Sequence, residues 1–232
     1  SQDPELQGTD WVQFSVDLAR RRGMKAGVEL SHTWVDKESL RSSFSDCLQK
    51  DIYGKPFATQ LCVNNPDTVA YARALYTELA TRYDLDFIQT CFLGFAGAPN
   101  YRDKISEIQR LVRLPLAAFF CDSCRAAAEK QGLPWKTIVE RLRWIADGHN
   151  RYNAKQAFEL SLTLASTMTA SQLFTEMPEF LAWFRFRCDS YTRFYKEIHT
   201  AAHKAKPGID VRFNDCWVYP EMEGFDLRAM SP

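Results

Sequence analysis

Carboxylate, imidazole and indole side chains occur together at the end of one short apolar segment near the start of the chain. Glu29 lies within residues 25–31, and His32, Trp34 and Asp36 follow directly. These residue types can perform acid–base chemistry and stack against the face of a sugar ring. We therefore expect a ligand-binding loop where this segment ends.

A second group of such residues follows another apolar segment at 209–214. Asn214, Asp215 and Trp217 combine an amide, a carboxylate and an indole. Amide and carboxylate groups bind hydroxyls, and an indole covers the face of a sugar. An Asn-Asp pair is also common turn chemistry, so both interpretations of this group stay open.

Hydrolysis of a glycosidic bond by the common route needs two carboxyl groups that face each other across the scissile bond. Glu29 and Asp215 are our candidates for this pair. Strand alternation places Glu29 either towards the interior of a barrel or under the helices, where it would pair with a cation. Gln89 and Thr90 are candidates for binding hydroxyls, since neither is an acid–base group near neutral pH.

Periodicity and capping signals predict the elements that position these residues. Four strands separated by helices imply a parallel sheet with right-handed crossovers. A complete (β/α)₈ barrel needs about 250 residues, so we expect one domain over 1–232 that forms an incomplete TIM-barrel-like fold with a helical insertion at 92–175. A small open parallel sheet is the alternative. The expected strands are 25–31, 58–63, 84–91 and 209–214, and the main helices are 11–22, 66–83, 123–131, 135–146 and 178–206.

Composition excludes several classes of partner. Lys and Arg number 29, as do Asp and Glu, so no overall charge favours nucleic acid or an anionic membrane. No apolar run approaches the roughly 20 residues of a membrane helix, and no signal peptide is visible. Seven cysteines, an odd number, indicate reduced thiols rather than a disulfide framework, which favours a cytoplasmic location.

Cys121 and Cys124 have the spacing of a metal-binding or redox pair. Zinc would need further ligands, and Cys91 is the one we nominate from the sequence. A pair of half-buried thiols is the alternative interpretation. His199 and His203 also have a spacing that metals use, although cationic side chains near a helix C-terminus are favoured for electrostatic reasons alone.

Four segments of the chain, in order, are RRRGMKAGVELSHTW, LCVNNPDTVAYARALYTELATRYDLDFIQT, CDSCRAAAEKQGLPW and PGIDVRFNDCW. This order resembles glycoside-hydrolase-like TIM-barrel proteins, including glycosyl hydrolases of bacterial genomes. The resemblance implies a carbohydrate substrate and a C-x-C-x-x-C cluster. Two positions depart from it: Gln89, Thr90 and Cys91 stand where many such enzymes carry an acid, and phenylalanine replaces the first cysteine of the cluster.

We therefore expect a carbohydrate-active protein, namely a glycoside hydrolase. The catalytic residues would be Glu29 and Asp215, and the residues that bind substrate would be His32, Trp34, Gln89, Thr90, Asn214 and Trp217. A non-catalytic carbohydrate-binding relative is one alternative. The other is a protein-interaction module, in which the aromatic helix packs against missing barrel segments, a second copy or another partner.

Overall fold

Two small sheets and seven α-helices make up the described part of the chain. The computed structural model describes residues 8–31, 33–35, 44–91, 114–150, 170–213 and 224–230. The strands are β1 (Gly27–Leu30), β2 (Leu48–Lys50), β3 (Pro56–Leu61), β4 (Phe87–Thr90) and β5 (Asp210–Phe213). The helices are α1 (Trp11–Arg21), α2 (Pro66–Arg82), α3 (Asp122–Lys130), α4 (Trp135–Asn150), α5 (Ala170–Glu176), α6 (Pro178–Ala205) and α7 (Leu227–Met230).

The central sheet is parallel and has the strand order β1-β4-β5. Its register aligns Glu29 of β1 with Gln89 of β4, and Gln89 with Arg212 of β5. The fold is therefore mixed α/β with a parallel sheet. Among the described strands, β1 and β5 each have a neighbour on one side only.

Helix α2 begins where the sequence predicts, because two local signals coincide. The Asn65 side chain accepts hydrogen bonds from the backbone N–H groups of Asp67 and Thr68, at 2.8 and 3.2 Å. Pro66 takes the first helical position, where its missing N–H costs no hydrogen bond. The C-terminal end of α2 leads into β4, which brings that strand alongside β1.

Helix α6 covers the apolar face of the parallel sheet. Tyr195 of α6 donates a hydrogen bond to the carbonyl oxygen of Val211 in β5, at 2.8 Å. Ile88, Val211 and Ile198 are buried in one core cluster together with Tyr76 of α2. Because strand side chains alternate, burying this face turns the neighbouring residues of each strand to the opposite face.

The predicted strand at 58–63 exists as β3, but its predicted place in a four-stranded parallel sheet is wrong. β3 pairs antiparallel with β2, a strand that the sequence analysis did not predict. The Asp51 carboxylate accepts hydrogen bonds from the backbone N–H groups of Tyr53 and Lys55, and Gly54 has a φ of 84°. The turn signal at 53–56 therefore closes a hairpin instead of leading into a crossover.

The aromatic face of α6 is covered by the chain itself. Phe180 and Tyr191 are fully buried, and so is Ile198. The interaction-module hypothesis rested on this face, whose aromatic side chains Phe180 and Tyr191 are buried within the chain. In contrast, Trp11 and Phe14 of α1 are 45% and 47% exposed.

An ionic network at the amino end of β4 joins α1 to the sheet. Arg20 donates to the carboxylates of Asp84 and Asp86 at 2.7 and 2.8 Å, and Lys206 donates to Asp84 at 3.0 Å. Asp86 also accepts the backbone N–H of Ala26 at 2.7 Å. The hydrogen bond from the Ala26 N–H lowers the pKa of Asp86 below its ordinary value, and the hydrogen bond from Arg20 lowers it further.

Within the described residues, none of the helices combines the length and the apolarity that a membrane crossing requires.

We predict that Asp86→Asn changes the pH dependence of stability. A folded-state pKa below the unfolded value of about 3.9 stabilises the fold above that pH, and the contribution is lost as the pH falls through the folded pKa. The difference in unfolding free energy between the native protein and Asp86→Asn should therefore stay constant near pH 6 and shrink as the pH falls below about 4, as measured by urea unfolding. Asp17→Asn, which removes the same charge from α1, is the control. Identical pH profiles for the two variants would contradict the assignment.

Candidate functional site at the carboxyl edge of the parallel sheet

Glu29 and Gln89 lie side by side on the open face of the parallel sheet. The Gln89 amide Nε2 donates a hydrogen bond of 2.6 Å to the Glu29 carboxylate Oε2. Both residues are next to last in their strands, and parallel strands end at the same edge. The contact therefore places a carboxylate and an amide together near that edge, on the face opposite the helices.

On the same face of the sheet, side chains of β4 and β5 contact each other and hold Arg212 in place. The Arg212 guanidinium lies 4.0 Å from the centroid of the Phe87 ring and donates to Asp210 at 2.6 Å. The Phe87 ring occupies the space above Gly27, where a Cβ atom would overlap it. Arg212 is thereby held by its own strand and by β4, and Gln89 is the residue that hydrogen-bonds to Glu29.

Thr90 is placed on the other face of the sheet. It follows Gln89 directly, so alternation turns its side chain towards the helices, and it is 1% exposed. The structure therefore brings Glu29 and Gln89 together and separates Thr90 from them.

Trp34 lies in a turn that follows β1. Its backbone N–H donates to the carbonyl of Ser31 at 2.9 Å, and it forms an antiparallel bridge with Gln60. The neighbouring Thr33 is buried and accepts a hydrogen bond from the Gln60 amide at 2.9 Å. These contacts fix the backbone while the Trp34 residue stays 56% exposed, as a surface that stacks against a ligand requires.

The other four predicted site residues, His32, Asn214, Asp215 and Trp217, lie outside the described residues. So do Asp36, Glu221 and Glu223, the other carboxylates close in sequence to these residues.

Three buried thiols converge at a second place, where the helices α2 and α3 begin. The sulfur atoms of Cys62, Cys121 and Cys124 are 3.2 to 3.4 Å apart. Cys121 is the N-cap residue of α3, and Cys124 lies in its first turn. The third thiol is Cys62 and not Cys91, which we nominated from the sequence. Cys121 caps α3, and Cys62 directly follows β3, four residues before α2 begins. A cysteine close to the start of each of two helices is the signal that the sequence analysis missed.

One of the three thiols is favoured as a thiolate. Sulfur–sulfur hydrogen bonds with Cys124 and Cys62, together with the backbone N–H groups at the start of α3, lower the pKa of Cys121 to about 3. The hydrogen bond with Cys121 raises the pKa of Cys62, and burial raises that of Cys124. A helix N-terminus stabilises such an anion.

The thiols fit three positions of a zinc site. Tetrahedral zinc thiolates place their sulfur atoms about 3.8 Å apart, from a zinc–sulfur distance of about 2.3 Å, which is close to the spacing here. The fourth position differs, because the residue that would complete C-x-C-x-x-C is Phe119. This ring is fully buried and packs against Phe186 and Tyr191.

Among the described residues, His199 and His203 of α6 are not joined by a third candidate metal ligand. The His199 and His203 rings stack with centroids 4.1 Å apart. Within the described residues, the thiols are the set that brings three candidate metal ligands together.

Comparison with known proteins supports the fold. Neither a protein-family model nor a curated protein sequence matches the chain. Solved structures that match include the cold-adapted β-galactosidase of Rahnella sp. R3 (13% identity, TM-score 0.51) and the β-galactosidase of the psychrophilic Marinomonas ef1 (16%, 0.50). The catalytic domain of the Paenibacillus polymyxa β-amylase also matches (13%, 0.50).

These matches cover most of this chain and a minor part of the two β-galactosidases. The alignments include 90%, 91% and 89% of this chain, but 29%, 30% and 54% of the respective structures. At such identities the likeness shows a glycosidase-like fold and leaves the chemistry to be argued from this chain's residues.

Proposed function

We propose that this chain belongs to a TIM-barrel-type glycoside hydrolase and acts on glycosidic bonds at the carboxyl edge of its parallel strands. The observation that carries the proposal is the hydrogen-bonded pair of Glu29 and Gln89 on the open face at that edge. Closure of the sheet into a barrel would enclose this carboxylate, which would then need a partner or a function, and barrel enzymes place their chemistry at this end of the strands.

The strand arrangement supports the barrel part of the proposal. A barrel requires each parallel strand to have two neighbours, and β1 and β5 each have one among the described strands. Closure would place Glu29, Gln89 and Arg212 on the inner surface, because the helices cover the other face. Further strands would come from parts of the protein outside the described residues.

The proposal gives each residue of the site a role. Glu29 is the first carboxylate, and Gln89 orients it and binds a sugar hydroxyl. Asp215, two positions after β5, supplies the second carboxylate. Trp34 and Trp217 stack on sugar rings, while His32 and Asn214 bind hydroxyls. Thr90, buried under the sheet, supports the strand and receives no sugar contact in this proposal.

One observation favours a non-catalytic carbohydrate-binding relative as the second candidate. The resemblance places an acid at the end of β4, and the residue that contacts Glu29 there is the amide of Gln89. An amide cannot transfer a proton near neutral pH. If Asp215 does not complete the pair, the same edge would bind a saccharide without cleaving it.

We predict that Glu29→Gln and Asp215→Asn each lower kcat on the best substrate by about 10²- to 10⁴-fold, because each would remove a positioned acid–base group or nucleophile. The measurement is hydrolysis of a panel of aryl glycosides and oligosaccharides. Glu78→Gln, on the exposed side of α2, is the matched control and should retain full activity.

Three outcomes separate the candidates. Hydrolysis lost in both carboxylate variants but not in the control supports the enzyme. Saccharide binding without turnover in the native protein supports the non-catalytic relative. Turnover that survives in both Glu29→Gln and Asp215→Asn contradicts the assigned pair.

We also propose that Cys62, Cys121 and Cys124 hold a structural zinc ion, with an oxygen or nitrogen ligand in the fourth position. Cys62 lies between β3 and α2, while Cys121 and Cys124 lie at the start of α3. The ion would therefore cross-link two segments that are 59 to 62 residues apart in sequence. Binding of zinc to a folded site stabilises the fold by the free energy of binding.

We predict about one zinc per chain for protein produced in zinc-supplemented medium, measured by plasma mass spectrometry. Cys121→Ser should reduce the content several-fold, and chelation should lower Tm of the native protein. Cys188→Ser, at a buried cysteine of α6 outside this cluster, is the control. Zinc far below one equivalent, or equal contents in the two variants, would contradict the site.

A further inference from the structure

A cleft separate from the sheet edge lies where α2, the end of α3 and the middle of α6 meet. Its volume is about 460 Å³, within the range of roughly 300–1,000 Å³ typical of small-molecule sites. One wall is apolar, formed by Val63, Val69 and Phe194. Asn64, Lys130 and Arg193 supply polar groups to the same cleft.

Arg193 brings a positive charge that forms no ion pair within the described residues. One terminal nitrogen of its guanidinium donates to the Ser190 hydroxyl at 3.0 Å and to the Asn64 amide oxygen at 3.4 Å. Both acceptors are neutral. Within the described ranges, no carboxylate oxygen lies within 4.0 Å of an Arg193 nitrogen.

Electrostatics agrees with that geometry. Partial burial lowers the pKa of Arg193, and this effect exceeds the opposite effect of the nearby Asp189 carboxylate. The carboxylate that lines the cleft, Glu197, is 3.7 Å from Arg73 and so has its own counter-ion. Lys130 adds a second positive charge at the end of α3.

The Asn64 amide contacts both the Arg193 guanidinium and the thiol cluster. Its Nδ2 lies 3.6 Å from the Cys124 sulfur as donor, and its Oδ1 accepts from Arg193. The amide is therefore oriented by contacts at both ends, and the contacts given for Arg193 with Asn64 and Ser190 involve one terminal nitrogen of its guanidinium.

We propose that this cleft binds a small organic carboxylate, with the anionic head on Arg193 and the apolar body against Val63, Val69 and Phe194. A guanidinium matches a carboxylate in a two-point hydrogen bond. The apolar wall favours a ligand with a hydrocarbon body over inorganic phosphate, which offers no apolar surface. Nothing in this site depends on the carbohydrate function proposed for the sheet edge.

The test is calorimetric titration of the native chain with 4-phenylbutanoate, its neutral amide 4-phenylbutanamide and inorganic phosphate. We expect saturable binding of the carboxylate in about the millimolar range, as the size of this probe allows. Loss of a charge-assisted hydrogen bond should weaken binding of the amide roughly tenfold or more. Arg193→Gln should weaken binding of 4-phenylbutanoate by a similar factor.

Arg185→Gln is the matched control, because Arg185 is an exposed arginine of the same helix that does not line the cleft. It should leave the affinity unchanged. Ala127→Leu extends a side chain of the cleft wall and should abolish binding while Tm confirms that the variant folds.

Four results would overturn the proposal. They are the absence of saturable carboxylate binding by the native chain, equal affinity for the acid and its amide, tighter binding of phosphate than of the acid, and equal losses in Arg193→Gln and Arg185→Gln.

Discussion

The parallel register of β1, β4 and β5, with one face buried against α6, is the constraint on which the rest of the described structure depends. Because Ile88 and Val211 are buried on that face, strand alternation turns the residues next to them towards the opposite face. Glu29, Gln89 and Arg212 must lie in one row on the opposite face. The chemistry at the edge of the sheet therefore follows from the packing of its apolar side.

A second constraint is the meeting of two helix starts. The Asn65 side chain caps α2 and also contacts Ser123 in the first turn of α3, at 3.4 Å. This contact brings together the loop before each helix, and with them Cys62 and Cys121. The thiol cluster and the cleft beside Arg193 are neighbours, since Asn64 contacts both Cys124 and Arg193.

Much of the fold could be predicted from local signals. Asn65-Pro66 marked the start of α2, and the three-to-four-residue repeat of apolar side chains marked α6, because both signals act within one or two turns of helix. The hairpin could not be predicted with equal ease. β2 has only three residues. Its pairing with β3 depends on a turn, and the residue types in that turn do not distinguish a hairpin from a turn that leads elsewhere.

The candidate site was predictable in type and less so in geometry. Alternation already implied that Gln89 and Thr90 point to opposite faces, yet residue type alone suggested a shared role in binding hydroxyls. Cys62 could not be assigned to the cluster by spacing, since it is 59 residues from Cys121 and only the folded chain brings them together. Conversely, the exposed aromatic face of α1 shows that helical periodicity identifies a face without identifying what covers it.

Thermal unfolding of the chain with a panel of mono- and oligosaccharides tests the central claim most directly, because a ligand raises Tm only if it binds the folded state. The matched comparison is Gln89→Leu, which keeps the strand and removes the amide that contacts Glu29. We expect one class of saccharide to raise Tm of the native chain and to lose most of that effect in the variant. A Tm that no saccharide raises, or an increase that Gln89→Leu leaves intact, would contradict a carbohydrate site at this edge of the sheet.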